Sequence, residues 1–132
     1  MTVSVRPQVT IAAETLQRLE RLAEAMRTRD PDLADRLLDE LSRARIVPAA
    51  DLPADVAGVG GSVTYRDETT GRVQTVTLAW PEEADIAAGR ASVLTPIGVA
   101  LLGLRAGARF FWETRTGEER ELTILSAGPA AG

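Results

Sequence analysis

The chain has 132 residues, 45% apolar and 26% charged, with a formal net charge of −4. That length suits one common domain or a small domain with an appendage, and the acidic balance excludes a surface dominated by phosphate binding, which needs clustered excess Lys and Arg. Cys, His and Lys are all absent, so every one of the 15 positive charges is Arg, and this removes the usual zinc sites, Ser-His-Asp and Cys-His nucleophiles, Schiff bases and the P-loop lysine. Asp, Glu, Arg, Ser, Thr and Tyr65 remain for chemistry. A carboxylate pair or a carboxylate-held Mg²⁺ is compatible with that set. The reading assigns no catalytic residue, no metal ligand and no cofactor.

Residues 1–9 read as an extended arm, with Pro7 blocking an early helix. From about Ala12, Leu16, Leu19, Leu22 or Ala23, and Met26 recur at helical spacing. Glu14 and Arg18 stand four apart in the favourable order for a surface pair. The run breaks at Arg27–Pro31, where Asp30 suits an N-cap with Pro31 at the first helical position. A second helix follows with Leu33, Leu37 or Leu38, Leu41 and Ala44 on one face. Asp32 and Asp35 are placed in its first turn and Arg43 and Arg45 in its last, where the helix dipole favours each charge. Pro48 stops it. Two helices of about 14 residues, each about 20 Å long, joined by a short turn must lie antiparallel with their leucines facing. Such a pair is marginal alone, so its leucines are expected to dock on the next domain as well.

Residues 48–61, rich in Pro and Gly, read as a linker. The period then changes to two. Ser62–Asp67 is a strand with Val63 and Tyr65 on one face, and Asp67–Gly71 is a turn. Arg72–Trp80 is a second strand with Val76, Leu78 and Trp80 on one face. Glu82–Gly89 is an acidic excursion, Ser92–Leu94 a short strand, and Thr95-Pro96 opens a short helix to about Leu102, ended by Gly103. Ala108–Glu113 and Glu119–Leu125 form a last hairpin turning at Arg115–Gly117. Phe110 and Trp112 face one way and Phe111 the other. Trp80 is expected in the core, Arg105 and Arg109 at the surface, and Ala127–Gly132 as a small mobile tail. The fold class is α+β: a short antiparallel, coiled-coil-like helical hairpin (1–47), the linker (48–61), and a bent antiparallel β-sheet with one short helix (62–132). With no basic leader and no apolar run of about 20 residues, a cytoplasmic protein without membrane contact is expected.

Two stretches carry the functional signal. One runs Trp80-Pro81-Glu82-Glu83-Ala84-Asp85, then Ser92-Val93-Leu94-Thr95-Pro96-Ile97-Gly98, then Ala100-Leu101-Leu102-Gly103-Leu104-Arg105-Ala106-Gly107. It resembles, over about thirty residues, the C-terminal domain of the Gre transcript-cleavage factors. The other, Glu40–Arg45 followed by Leu52–Val56, together with the closing Pro129–Gly132, resembles the regulator of nucleoside diphosphate kinase (Rnk) branch. The resemblance implies an FKBP-like C-terminal domain and association with bacterial RNA polymerase at the rim of the secondary channel, in competition with Gre factors. It places polymerase-binding residues at Asp85, Ser92, Thr95, Pro96, Ile97 and Gly98, with Thr95 where Gre factors usually carry Ser. No sequence-specific nucleic-acid contact and a monomeric state are expected.

In Gre factors a much longer hairpin ends in two acids that hold a catalytic Mg²⁺. Here Asp32-Leu33-Ala34-Asp35 echoes that tip faintly, and Asp30, Asp32 and Asp35 form the hairpin-tip set. They read first as a cap and dipole-favoured acids, because a hairpin of about 20 Å is too short for a channel probe of roughly twice that length. Two rival readings stand beside the polymerase-binding regulator: transcript cleavage through the tip acids, and an FKBP-like prolyl isomerase or chaperone. The second wants a deep aromatic pocket, and the five aromatic residues are mostly explained as core.

Overall fold

The computed structural model describes residues 8–113 and 116–128. It has α+β architecture: a helical hairpin lies against a five-stranded sheet, and both contribute to one hydrophobic core. The first element is a short strand, β1 (Thr10–Ala12), followed directly by α1 (Ala13–Met26). Helix α2 spans Pro31–Arg43. Asp30 caps it as expected, its Oδ1 accepting from the Leu33 amide at 3.2 Å, with Pro31 opening the first turn. Only Asp32 lies in that first turn; Asp35 stands one turn further on, a correction to the placement from sequence.

The last-turn placement of Arg45 is also corrected. α2 ends at Arg43, and Arg45–Val47 forms β2, which pairs in parallel with β1 in the register Thr10↔Arg45, Ile11↔Ile46 and Ala12↔Val47. The chain thus enters and leaves the hairpin through a two-stranded clasp. Three-residue strands next to strong helical periodicity leave no period-two signal of their own. Glu14 departs from its expected partner as well. Its Oε1 accepts from the Ala49 amide at 2.8 Å, tying the base of α1 to the segment beyond β2.

The main sheet comprises β3 (Ser62–Asp67), β4 (Val73–Ala79), β5 (Arg90–Ser92), β6 (Arg109–Glu113) and β7 (Glu119–Gly128), in the order β5-β4-β3-β7-β6. The pairs β3–β4, β3–β7 and β6–β7 are antiparallel, and β5 joins β4 in parallel. β7 reaches Gly128, which pairs with Ser62, so Ala127 and Gly128 belong to the sheet rather than to a mobile tail. Residues 129–132, the arm over 1–7 and Arg115 of the turn expected at Arg115–Gly117 lie outside the described residues.

Val63 and Tyr65 point inward with Leu78, Leu122 and Ile124, and α3 (Pro96–Leu101) packs on that face through Val99 and Leu101. Leu19 and Ala23 of α1 and Leu37 and Leu41 of α2 extend the same core, so the leucines do dock on the sheet module as their marginal stability alone requires. The 48–61 segment is closely held by that module. Ala57 is fully buried, donates to the Leu104 carbonyl at 2.8 Å and accepts from the Gly103 amide at 2.7 Å. Gly103 sits at φ +81, where an added Cβ would meet Val9 Cγ1 at 2.4 Å, and its carbonyl accepts from the Thr10 amide at 3.0 Å. Only glycine lets the hairpin's entry strand pass this close.

A candidate protein-docking surface around the start of α3

The turn that opens α3 is built from its own polar atoms. The Ser92 hydroxyl accepts from the Leu94 amide at 3.0 Å, and the Ser92 carbonyl accepts from the Thr95 hydroxyl at 2.7 Å. The Thr95 Oγ1 in turn accepts from the Gly98 amide at 3.1 Å, making Thr95 the N-cap, with Pro96 in the first turn. Ser serves the same bond, so Thr in place of the usual Ser keeps the turn. Gly98 is buried, and a Cβ there would stand 2.1 Å from the Ser92 carbonyl oxygen and 2.9 Å from Val93 Cα. The glycine is therefore required by contact rather than by backbone angle.

Of the six residues expected to meet a partner, five (Ser92, Thr95, Pro96, Ile97 and Gly98) share this turn. Ser92, Thr95 and Gly98 spend their polar groups or their lack of a side chain on the turn itself, while Pro96 and Ile97 are half-exposed. Asp85 lies beyond the far end of β5, joined to Arg90 by an isolated bridge. It is exposed, caps a 3-10 turn through the Ala88 amide at 3.4 Å and stands 3.8 Å from the Arg90 guanidinium.

Beside Ile97 the inner sheet face opens into a cavity of about 390 Å³, lined also by Tyr65, Arg72, Gln74, Arg120 and Leu122. The Tyr65 hydroxyl donates to Gln74 Oε1 at 2.9 Å. Burial, with the nearby Asp67 charge second, raises the Tyr65 hydroxyl above its ordinary value, so it stays a proton donor. Burial also pushes the Asp67 carboxyl up. The Thr69 amide, Arg120 and the Thr70 amide outweigh it, and the carboxyl lies below its usual value. Arg120 reaches Asp67 at 2.7 Å and Glu118 at 3.6 Å. On the outer face, Glu68 is lowered chiefly by its hydrogen bonds from Arg66 and Thr123.

A second set of contacts holds the hairpin to the sheet module. The Arg18 guanidinium lies 4.0 Å from the centroid of the Trp80 ring and pairs with Glu82. Arg36 of α2 lies 5.1 Å from the centroid of Phe110. Trp80 is half-buried rather than core, its free face covered by Arg18, and part of the acidic excursion is already engaged from within. Sequence reading missed these pairs because Arg18 and Trp80 are far apart in the chain and each fits a local role. Phe110 is buried and Phe111 is half in solvent, as alternation predicts, while the Trp112 side chain lies outside the described residues. Arg105 pairs with Asp55 at 3.5 Å, and Arg109 pairs with Glu121.

At the hairpin tip Asp32 and Asp35 are exposed and three residues apart. Among the described residues no group of three or more carboxylates is placed to hold a metal ion. No helix among them is long and apolar enough to cross a membrane.

Comparison with known proteins accords with this geometry. Residues 52–129 match the family described as transcription elongation factor GreA/GreB, C-terminal domain, and residues 7–47 match the Rnk N-terminus. A solved structure titled as a prokaryotic transcription elongation factor GreA/GreB from Nitrosomonas europaea superposes with a TM-score of 0.73 at 30% identity, covering 93% of this chain and 99% of that one. GreA of Rhodospirillum rubrum is 38% identical over 71 residues, which is 54% of this chain and 45% of that protein. Fold and matches together define a regulator resembling the transcription elongation factors. The regulator of nucleoside diphosphate kinase of Escherichia coli (strain K12) is 32% identical over 120 residues, 91% of this chain and 88% of that protein. The chain belongs to the Rnk family, with the C-terminal domain of the GreA/GreB factors.

Proposed function

We propose that this protein is a cytoplasmic transcription regulator that binds bacterial RNA polymerase at the rim of the secondary channel and competes there with Gre-type factors, without stimulating transcript cleavage. In this reading residues 62–132 anchor the protein through the α3 turn and residues 1–47 form a short plug, with 48–61 between them. Asp85, Pro96 and Ile97 are the outward groups that meet the polymerase. Ser92, Thr95 and Gly98 hold the turn that presents them.

The observation that carries the proposal is the shortness of the hairpin combined with its mid-length attachment. α1 has 14 residues and α2 has 13. Arg18 is fastened to Trp80 and Glu82, and from there the helix runs on only to Met26. At ~1.5 Å per residue the tip extends about 12 Å past Arg18, and Arg36 on Phe110 holds α2 nearer still to its tip end. That suffices to obstruct an entrance and falls short of delivering Asp32 and Asp35 to an active site deep in a channel.

The test is equilibrium binding of the full chain to bacterial RNA polymerase core, with GreA as competitor, alongside cleavage of a backtracked complex in Mg²⁺. Binding displaced by GreA, with no cleavage above the polymerase's own, is expected. No binding at micromolar concentration refutes the proposal, and cleavage abolished by Asp35→Ala moves it to the class of cleavage stimulators.

A further inference from the structure

From the cavity beside Ile97 we infer that the sheet module receives a segment of its protein partner there, one carrying an apolar side chain next to a carboxylate. The apolar group would sit against Ile97 and Leu122, and the carboxylate on Arg72. This rests on the polymerase-binding reading for the partner's identity and adds the chemistry of the contact.

The cavity's volume of about 390 Å³ falls within the ordinary range for ligand sites and holds one or two side chains. Its apolar lining is Ile97, the Tyr65 ring and the buried Leu122, and the rest is polar or charged: Asp67, Thr70, Arg72, Gln74 and Arg120. Ile97 belongs equally to the outward turn at the start of α3, so turn and cavity form one continuous surface. A protein laid across the turn meets the cavity as well, which favours a partner segment over a free small molecule.

Charge sets the second half of the recognition. Two guanidiniums and one carboxylate line the cavity. Arg120 is committed to Asp67 at 2.7 Å, so these two charges cancel locally. Arg72 is exposed, and among the described residues its guanidinium has no ion-pair or hydrogen-bond partner. It stands at the end of the β3–β4 turn, immediately before β4, which carries Gln74. One exposed cation beside the apolar side chains of Ile97 and Leu122, with the cavity's other two charges paired to each other, selects a partner segment that sets a carboxylate next to an apolar group.

Two measurements on the full-length chain test this. In the first, methyl- and amide-labelled protein is titrated with a short peptide alternating Leu and Glu, with its Leu–Lys analogue, and with inorganic phosphate. The acidic peptide should shift Ile97, Leu122, Tyr65 and Gln74. Arg72→Glu should weaken that binding about tenfold or more, and Arg72→Lys should retain most of it. Equal shifts with the lysine peptide, shifts with phosphate alone, or no shift at these residues overturn the inference. In the second, polymerase core is bound by wild type and by Arg72→Glu, with the melting temperature confirming that the exposed substitution leaves the fold intact. Weaker binding by Arg72→Glu, by about tenfold and less so at high salt, is expected. If wild type and Arg72→Glu bind alike, the inference fails and the polymerase reading stands. If wild type does not bind polymerase, that reading fails and the peptide titration alone decides the inference.

Discussion

In the sheet module each strand has at least one hydrogen-bonded neighbour, and the inner face is filled by fully buried side chains such as Val63, Leu78, Leu101 and Leu104. The helical hairpin has far less of its own. Leu19, Ala23, Leu37 and Leu41 are its main buried apolar groups, and they serve the contact between the helices and the contact with the sheet at once. The hairpin is therefore held by the rest of the molecule, through the β1–β2 clasp, the Glu14–Ala49 bond and Arg18 on Trp80. The sheet module carries most of its own hydrogen bonding and burial, and the hairpin depends on it.

The largest expected effect comes from breaking the anchor. Gly98→Ala drives a methyl group into the Ser92 carbonyl and should cost about 3 kcal/mol in denaturant unfolding. Because the hairpin leans on the sheet module, unfolding should remain a single transition. A separate hairpin transition would contradict the dependence argued above. Leu19→Ala, at a fully buried site in α1, should cost about 2.5 kcal/mol. In hydrogen exchange its loss should appear first over residues 13–43, with β3 and β7 still protected. Uniform loss across the chain would mean that the two regions cannot be distinguished energetically.

Smaller changes sharpen the comparison. Arg18→Ala removes a partly exposed cation–π contact and an ion pair, together worth about 1 kcal/mol. It should loosen the hairpin while leaving the α3 turn unchanged, so weaker competition with GreA at unaltered sheet protection is the expected pattern. Asp30→Ala removes the α2 cap and should cost about 1 kcal/mol, whereas Asp32→Ala and Asp35→Ala should alter stability little. The smallest effect concerns pH. Asp67 and Glu68 have folded values below their ordinary 3.8 and 4.5, so their contribution is fully present above about pH 4.5 and fades as pH falls through the lowered folded values. Acid titration of stability should be shallower in the double variant Asp67→Asn, Glu68→Gln, and added salt should reduce the difference.

Much of this architecture is legible in the residues. The helical spacing from Leu16 to Met26, the Asp30-Pro31 start and the Val63/Tyr65 alternation each specify a local conformation, and each appears where expected. The α3 turn was legible for the same reason, since Thr-Pro-x-Gly carries its own cap. The misses share a different cause. Arg45 suits a helix end by local sequence and is a strand residue, because its pairing partner Thr10 lies on the far side of both helices. Ala127 reads as part of a small terminal tail, and only the approach of β3 recruits it into the ladder. The cavity residues Tyr65, Arg72 and Gln74 gave no signal as a group, since two strands and a turn had to converge before they shared a surface.

By itself, the sequence determined what depends on neighbours a few positions apart: the helices, their caps, the strand alternation, the family motif from Trp80 to Gly107 and the shortness of the hairpin. Tertiary structure alone decided which charges are already spent and which remain open to a partner. Arg18 and Glu82 satisfy each other across the molecule, Arg120 is taken by Asp67, and among the described residues the Arg72 guanidinium has no partner. The physical reason is range. Backbone conformation is set by local sterics and hydrogen bonds, whereas the partner of a long charged side chain is whichever opposite charge the fold brings within about 4 Å.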